Sequence, residues 1–493
     1  MAAMMIGSSV SGLAGARPLK VSAARRASRS AAPLRVTAVT GVSVSAVKAP
    51  AAATRRGALQ VPRAIAVPYG YEATGMTYND TGKWRENFDL AAWAAEVRAV
   101  EKELKASVGE DDVKHLNKIL TWANCFYYGG LAVLFATPFV TSALGIVGSV
   151  AWGVNPIAAF MMSTAICARW TMVGHHVCHG GYNTAQSENG VVTGRFHRRT
   201  FARGVARRLT DWMDWMMPEA WDVEHNHLHH YQLGEKADPD LLERNMEPLR
   251  NDKNMPMAMK YGQVIGLALI WKWFYYAPNT MKELYAKKAR EAEKAGEVGA
   301  ENPYRTGELP STVITVIADA FQGKFGALIT TAKCFAPYAT TQFAALPAIG
   351  WAVGGPSMAL GVLLTSILAD VMTNVHSFII IATNHVGDDI YRFETEAKPR
   401  SDDFYLRACI GSANFKTGGD VNDFFHGWLN YQIEHHMFPD ISMKAYQKAQ
   451  PKIEAICKKH GVPYVQQSVW KRLDQLSGVM VGKKSMLVWE RGD

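Results

Sequence analysis

Residues 119–168 read ILTWANCFYYGGLAVLFATPFVTSALGIVGSVAWGVNPIAAFMMSTAICA and contain no charged side chain. These 50 residues exceed one membrane crossing, because a transmembrane α-helix needs roughly 20 apolar residues. Thr141, Ser142 and Gly145 lie near the middle of the stretch and offer a place to turn. The stretch therefore predicts a helical hairpin in a membrane.

A second apolar stretch covers residues 334–387 and carries one charge, Asp370. Gly354, Gly355 and Pro356 divide it into two halves, because glycine and proline interrupt helices. A soluble helical core could bury one such stretch, but two stretches of this length favour a membrane. We therefore expect an all-α integral membrane protein with four transmembrane helices in two hairpins, and a helical cap outside the membrane.

The segments around the hairpins predict surface helices. Residues 261–277 are apolar but short, and the aromatic run at 271–276 is typical of the headgroup zone, which indicates an interfacial helix. Residues 88–104 have the spacing of an amphipathic helix. Because each hairpin returns the chain to its starting side, residues 171–260 and 388–493 are expected on one face of the membrane.

The N-terminal leader has an unusual composition, with ten Lys and Arg residues and no acidic residue before Glu72. It lacks the apolar core of a secretory signal, so it predicts an organelle transit peptide, and the alternative is a flexible basic arm. Because the positive charge sits in the leader, the net charge of +9 does not indicate a nucleic-acid partner. The six cysteines lack CxxC spacing, which predicts free thiols.

The sequence thus divides into seven segments. They are a transit peptide (1–66), an N-terminal surface helix region (67–117), the first hairpin (118–170), a cap with two histidine clusters (171–260), an interfacial helix with a charged connector (261–330), the second hairpin (331–387) and a C-terminal cap with a third cluster (388–493).

Nine of the 15 histidines lie in three short clusters just outside the apolar stretches. The clusters read GHHVCHGG at 174–181, EHNHLHH at 224–230 and QIEHH at 432–436. Residues three or four apart on a helix share a face, so each cluster can present convergent side chains. About eight imidazole nitrogens exceed what one tetrahedral zinc could use. The pattern therefore indicates two metal ions, with redox-active iron favoured.

The predicted metal ligands are the histidines at this spacing together with one at the end of the last span: His175, His179, His225, His229, His230, His385, His435 and His436. Neighbours that could orient the ligands are His176, His227, Glu224, Gln432, Glu434 and His426. Glu224 and Glu434 directly precede a histidine and could accept its ring N–H, or they could be ordinary loop residues. A polar stripe from Asp370 to Asn384 is expected to face the metals or the substrate.

These clusters resemble the three histidine boxes of the membrane-bound fatty acid desaturase family. The matches are HxxxH at 175–179, HxxxHH at 225–230 and QxxHH at 432–436. The resemblance implies a diiron centre that activates O₂, removes hydrogens from two adjacent methylenes and leaves a cis double bond. It also implies His385 as an iron ligand, and Gln432 resembles the front-end group and related acyl-lipid enzymes.

Other functions remain open at this point. A diiron lipid hydroxylase or a sphingoid-base desaturase uses the same boxes and differs in how the substrate meets the oxidant. A histidine-rich metal permease or storage protein would need ligands spread through the spans, whereas the boxes lie outside the apolar stretches.

Electrons are expected from a separate protein, because the sequence contains no His-Pro-Gly-Gly haem motif of a fused cytochrome b5. With a plastid-type leader, the resemblance implies ferredoxin as the donor, a chloroplast membrane (envelope or thylakoid) as the location and acyl chains of membrane glycerolipids as the substrate. Ferredoxins are acidic, so we expect basic docking residues, and positive-inside topology or phospholipid contact is the alternative explanation for them. The candidates are Arg198, Arg199, Arg203, Arg207 and Arg208.

Overall fold

The structure is a computed structural model that describes residues 83–489 apart from residues 87, 146–152, 298–300 and 308. The predicted transit peptide lies outside the described residues. The described α-helices are α1 (Leu90–Ser107), α2 (Glu110–Ala143), α3 (Pro156–Ala168), α4 (His175–His179), α5 (Val205–Arg207), α6 (Pro218–Trp221), α7 (Leu242–Asn245), α8 (Glu247–Arg250), α9 (Met257–Trp271), α10 (Ala277–Ala295), α11 (Val313–Phe321), α12 (Gly326–Thr340), α13 (Leu346–Ile381), α14 (Asp402–Ile410), α15 (Asp420–Phe425), α16 (Gln432–Met437), α17 (Met443–His460) and α18 (Val469–Met480).

Several helices are extended by π-helical or 3₁₀ segments. The π-helical segments are Arg169–Gly174, Arg208–Trp212, Asp222–Leu228, Lys272–Tyr276 and Thr341–Ala345. The 3₁₀ segments are Lys83–Arg85, Thr184–Gln186, His229–Tyr231, Ala382–His385 and Leu429–Tyr431. The strands of the described chain form three short pairs, β1–β2 (Ser187–Glu188 and Val191–Val192, antiparallel), β3–β6 (Tyr391–Phe393 and Leu487–Trp489, parallel) and β4–β5 (Asn414–Phe415 and Gln466–Gln467, parallel).

Three described segments are long and apolar enough to cross a membrane: Glu110–Ala143, Pro156–His179 and Gly326–His385. Helices α2 and α3 pack together, and Asn155 Nδ2 donates to Thr137 Oγ1 at 2.9 Å. A Cβ atom at Gly130 would lie 3.2 Å from the carbonyl oxygen of Ala158, so a small residue is needed for this close approach. The turn between them borders an undescribed segment, and the first hairpin stays a prediction.

The third apolar segment is broken at Gly354 and Gly355. Their backbone dihedrals are not helical, and Gly355 has a φ of 71°, which favours glycine. Tyr338 Oη donates to Asp370 Oδ1 at 3.1 Å across this break. A straight helix would separate two residues 32 positions apart by about 48 Å. The segment therefore folds back on itself, while the number of membrane crossings stays a prediction.

The segment expected at the membrane surface forms a continuous helix from α9 through a π-helical turn into α10. Within its aromatic run Trp271, Lys272 and Tyr276 are buried, and residues 273–275 are half-buried. Trp271 Nε1 donates to the carbonyl of Asn374 at 2.8 Å, and the Lys272 backbone N–H donates to Asn374 Oδ1 at 3.0 Å. At Asn374 the polar stripe of α13 therefore binds this helix, which corrects the expectation for that residue, whereas Asn384 at the end of the stripe contacts Gln432 of the third cluster at 3.5 Å.

Helix α1 (Leu90–Ser107) covers the cap, and its bounds lie close to those of the surface helix predicted at 88–104. Asp89 Oδ1 accepts from the Ala92 backbone N–H at 3.0 Å and caps the first turn. Trp93, Val97 and Leu104 form its buried face within the largest hydrophobic core, which also includes residues of α14, α16 and α17. The six cysteines are free thiols, as predicted.

Candidate metal centre

The first histidine cluster lies at the C-terminal end of the apolar segment Pro156–His179. A π-helical turn leads directly into α4, which presents His175 and His179 on one face. Gly180 ends α4 with a φ of 94°, a conformation that favours glycine at a helix C terminus. A Cβ at Gly181 would collide with the carbonyl oxygen of Ile441. Gly181 therefore allows the loop after the third cluster to pack against the first cluster.

The second cluster lies on a π-helical segment, Asp222–Leu228, followed by a 3₁₀ turn. A π-helix places residues i and i+5 in register, and such segments are frequent at functional sites. His225 Nε2 lies 3.2 Å from His230 Nε2. His229 belongs to one group with His385 and His436 and to another with His225 and Asp240. The predicted convergence of His225 and His229 is therefore seen, with Asp240 as the third member of their group.

The third cluster lies on α16, which is held by polar side chains from neighbouring loops. Asn414 Oδ1 accepts from the Ile433 backbone N–H at 2.8 Å, and its Nδ2 donates to Glu434 at 2.9 Å. Tyr464 Oη donates to the other oxygen of Glu434 at 2.7 Å. Burial raises the pKa of Glu434 to about 7, although the two hydrogen bonds oppose the shift. Glu434 thus anchors α16, and among the described contacts it does not orient a histidine ring.

The eight predicted ligands meet in two groups. The ligand nitrogens of each group lie within 4.8 Å of one another. The five-histidine group consists of His175, His179, His225, His230 and His435. The three-histidine group consists of His229, His385 and His436. The rings of His230 and His436 stack at 4.2 Å between centroids, so the two groups are adjacent. All eight rings are buried except that of His385, which is half-buried.

Hydrogen bonds fix which nitrogen of His435 carries the proton. Tyr446 Oη donates to the Phe438 carbonyl at 2.8 Å, so it accepts from His435 Nδ1 at 3.1 Å. His435 Nε2 then keeps its lone pair and faces His175 Nε2 at 2.8 Å. This is the tautomer that a metal ligand requires.

Hydrogen bonds within the five-histidine group cannot satisfy all of its remaining ring nitrogens. His175 Nε2 also contacts His225 Nε2 at 3.2 Å, and it cannot donate to His435 while accepting from His225. Burial and the neighbouring histidines hold the pKa values of His225 and His435 well below the ordinary value, so the rings are neutral. His179 Nε2 is buried without a hydrogen-bond partner. A cation among these nitrogens would use their lone pairs, and imidazole suits iron, zinc, copper and nickel.

A family model described as "Fatty acid desaturase" matches residues 150–468, which include all eight histidines. The chain belongs to the fatty acid desaturase family. A "Fatty acid desaturase 2-like protein" of Mus musculus is 40% identical over 68 residues, which are 14% of this chain and 14% of the relative. An "Acyl-lipid (9-3)-desaturase" of Physcomitrium patens is 31% identical over 102 residues, 21% of this chain and 18% of the relative.

A longer match extends over most of the chain. An "NADPH-dependent stearoyl-CoA 9-desaturase" of Mycobacterium tuberculosis is 22% identical over 403 residues, 79% of this chain and 80% of the relative. The chain spans less than a fifth of the length of the mouse and moss relatives. Membership of the desaturase family therefore rests on the family model and on its coverage of the histidine boxes.

Acidic residues that the sequence analysis missed surround the second box of this family member. His229 Nδ1 donates to Asp238 Oδ1 at 2.9 Å. Burial opposes protonation of His229, yet Asp238 raises its pKa above the ordinary value. Asp240 lies within 4.8 Å of ligand nitrogens of His225 and His229. The Asp-Pro-Asp run at 238–240, eight residues after His230, was the available signal.

Two predicted neighbours lie close to the groups. Gln432 Nε2 donates to His385 Nε2 at 3.0 Å and thus orients this ring. Glu224 is fully buried, and burial together with Asp240 and Asp238 raises its pKa well above the ordinary value. In the described structure Glu224 accepts no hydrogen bond from a histidine ring, so its expected orienting role is not seen.

Three predicted histidine neighbours lie outside both groups. His176 Nδ1 donates to the Met172 carbonyl at 2.7 Å, and its ring packs on His435 and Tyr446. His227 is exposed, and His426 Nδ1 donates to the Asn422 carbonyl at 2.8 Å. The structure therefore corrects the orienting roles expected for His227 and His426.

The basic residues between the first two boxes differ in exposure, and one of them is excluded as a docking residue. Arg208 is buried and donates to the carbonyls of Trp215 and Cys334 at 2.8 and 2.6 Å, so it cannot contact a partner. Arg199 and Arg207 are exposed. The half-buried pair Arg198 and Arg203 forms ion pairs with Asp222 and Glu219 at 3.5 and 3.2 Å.

Proposed function

We propose that this protein is a membrane acyl-lipid desaturase that introduces a cis double bond into an acyl chain at two iron ions held by the eight histidines. The observation that carries the proposal is the adjacent pair of histidine groups at the end of the apolar helices. The overall reaction combines two hydrogens from adjacent methylenes with two electrons, two protons and O₂, and it releases two waters.

Bound iron would supply the O₂ activation that removes hydrogen from an unactivated methylene. The residues of the chain hold and orient the ligands: Tyr446 fixes the tautomer of His435, Asp238 accepts from His229 and Gln432 donates to His385. Tyr446 and Asp238 each accept a ring N–H, which fixes ring orientation and raises the basicity of the other ring nitrogen, whereas Gln432 only orients the ring of His385. Burial of the rings keeps bulk water away from the ligand nitrogens.

Four membrane crossings fit this arrangement best. The histidines from residues 171–260 and from residues 388–493 share one cluster, which supports placing both segments on the same face of the membrane. With that placement the apolar segment Gly326–His385 would cross an even number of times, and its fold at Gly354 is consistent with two crossings. Helices α2 and α3 provide the other two in the proposed topology.

The substrate class is proposed from several indications. Gln432 at the start of the third box resembles acyl-lipid and front-end enzymes, and the moss relative bears an acyl-lipid name. The mycobacterial relative is named for a stearoyl-CoA substrate, so an acyl thioester is the competing substrate class. A diiron lipid hydroxylase or a sphingoid-base desaturase remains the alternative reaction, because the same ligands would serve it.

The test is expression of the full chain in cells that lack the activity. Gas chromatography of fatty acid methyl esters, with double-bond positioning, is expected to show a new unsaturated acyl chain in glycerolipids. Protein purified after iron-replete expression is expected to contain about two irons per chain. A hydroxylated product would support the alternative reaction, and one zinc per chain without iron would contradict the diiron proposal.

We further propose ferredoxin as the electron donor and a chloroplast membrane as the location, on the basis of the basic, acid-free leader. Exposed Arg199 and Arg207 are the docking candidates that remain after Arg208 is excluded.

Replacing both Arg199 and Arg207 with alanine should lower turnover with ferredoxin about 10-fold at low salt, because opposite charges speed encounter. The difference from wild type should shrink as salt screens these charges. Steady-state assays of the reconstituted enzyme over a salt series provide the measurement. Lys287→Ala with Lys288→Ala, on α10, is the matched control. Activity with cytochrome b5 alone, indifferent to salt, would argue against both the donor and the location.

A further inference from the structure

Arg472 lies on α18, outside the region that the family model matches. Its side chain is fully buried, so its five N–H donors and its charge need partners within the protein. Asp389 supplies the counter-charge, with 2.6 Å between Arg472 Nη1 and Asp389 Oδ1. The remaining donors of the guanidinium are free to bind the backbone.

These donors bind the chain on both sides of His385. Arg472 Nε donates to the Thr383 carbonyl at 3.3 Å, and Nη2 donates to the Val386 carbonyl at 2.6 Å. Helix α13 ends here in a 3₁₀ turn, where carbonyl oxygens lose their helical partners. The planar guanidinium replaces these partners in a fixed geometry, which a flexible ammonium group cannot match.

Gly387 adapts the backbone to this arginine. A Cβ atom at position 387 would lie 2.7 Å from Arg472 Nη2, well inside van der Waals contact. The φ of Gly387 is outside the left-handed region, so alanine would fit the backbone. It would instead disturb the guanidinium and its partner Asp389, whose Oδ1 lies 2.6 Å from the Cβ position.

We propose that Arg472 is a positioning residue that holds His385 where it can share an ion with His229 and His436. Gln432 orients the ring of His385, and Arg472 fixes the backbone that carries this ring. Arg472 bonds to carbonyls and to Asp389, so its effect on the three-histidine group is indirect. The inference rests on the proposed two-iron function.

The experiment measures iron per chain and thermal unfolding of the purified full chain after iron-replete expression. Arg472→Gln is expected to lower iron from about two to about one per chain, because the five-histidine group remains intact. His385→Ala should give the same loss, and combining the two changes should remove no further iron. Arg472→Lys should retain more iron than Arg472→Gln, because its ammonium group still donates to a carbonyl.

Arg250→Gln is the matched control, because Arg250 is also buried and also bonds to α18, through the carbonyl of Val479. This variant is expected to keep both irons. Equal iron loss in Arg250→Gln and Arg472→Gln would overturn the inference in favour of general destabilisation of α18. If Arg472→Gln fails to fold, Gly387→Ala decides, with iron expected to fall to about one per chain.

The remaining outcomes separate this inference from the proposed function. If Arg472→Gln keeps two irons per chain, the positioning role is overturned and the two-iron function stands. The same holds for Gly387→Ala if Arg472→Gln does not fold. Wild-type protein with a single zinc would instead overturn the proposed function itself.

Discussion

Replacing His229 with alanine is expected to abolish product formation, whereas replacing His227 should leave most of the activity. His229 is buried, belongs to the three-histidine group and donates to Asp238. His227 is exposed and its Nδ1 donates to the Asp222 carbonyl at 2.8 Å. Loss of a residue that only supports a ligand typically costs about 10- to 100-fold. Loss of His229 itself should therefore exceed about 100-fold.

The measurement compares product per enzyme by gas chromatography, with immunoblots of membrane fractions to show equal insertion. Asp238→Asn gives an intermediate test, because an amide oxygen still accepts from His229 without the carboxylate charge. We expect it to lose activity by about 10-fold. Equal losses in the His229 and His227 variants would contradict the assignment of His229 to the three-histidine group and of His227 to the exposed surface.

The sequence was sufficient to predict the helical membrane character and the set of eight convergent histidines. The reason is physical, because long uncharged stretches and repeated histidine spacing are properties of the residues themselves. His175 and His179 converge as predicted, because α4 is a regular helix turn.

The division of the histidines between two groups was not predictable from spacing. It depends on the π-helical segment Asp222–Leu228 and the 3₁₀ turn that follows it, which together bring His225 Nε2 to 3.2 Å from His230 Nε2. The roles of Tyr446 and Asp238 depend on loops that meet only in the folded chain. Composition carries no information on such contacts.

Lys272 shows the same limit at the membrane surface. Its aromatic neighbours predicted a headgroup contact, since lysine normally extends to the interface. In the structure its side chain is fully buried and forms an ion pair with Asp214, 58 positions earlier in the chain. Its Nζ also lies 5.3 Å from the ring centroid of Trp170, just before the first histidine box. The lysine therefore points into the protein and not to the membrane surface, because its counter-charge comes from a residue far away in the sequence.

Replacing Lys272 with methionine should destabilise the protein by about 3–5 kcal/mol, because Asp214 would remain buried without its counter-charge. Thermal or denaturant unfolding in detergent micelles measures the change. Lys260→Met is the matched control: Lys260 lies on the same continuous helix and is buried, and its Nζ donates to the Arg250 carbonyl at 2.8 Å. Losing that hydrogen bond should cost only about 1–3 kcal/mol.

The double variant Lys272→Met with Asp214→Leu decides whether the buried charge is the cause. With both charges removed, apolar side chains of similar volume are often neutral or stabilising relative to a buried ion pair. We therefore expect the double variant to recover most of the stability lost in Lys272→Met, as a favourable coupling in a double-mutant cycle. A double variant at least as unstable as Lys272→Met would show instead that the lysine stabilises this helix through packing on Trp170.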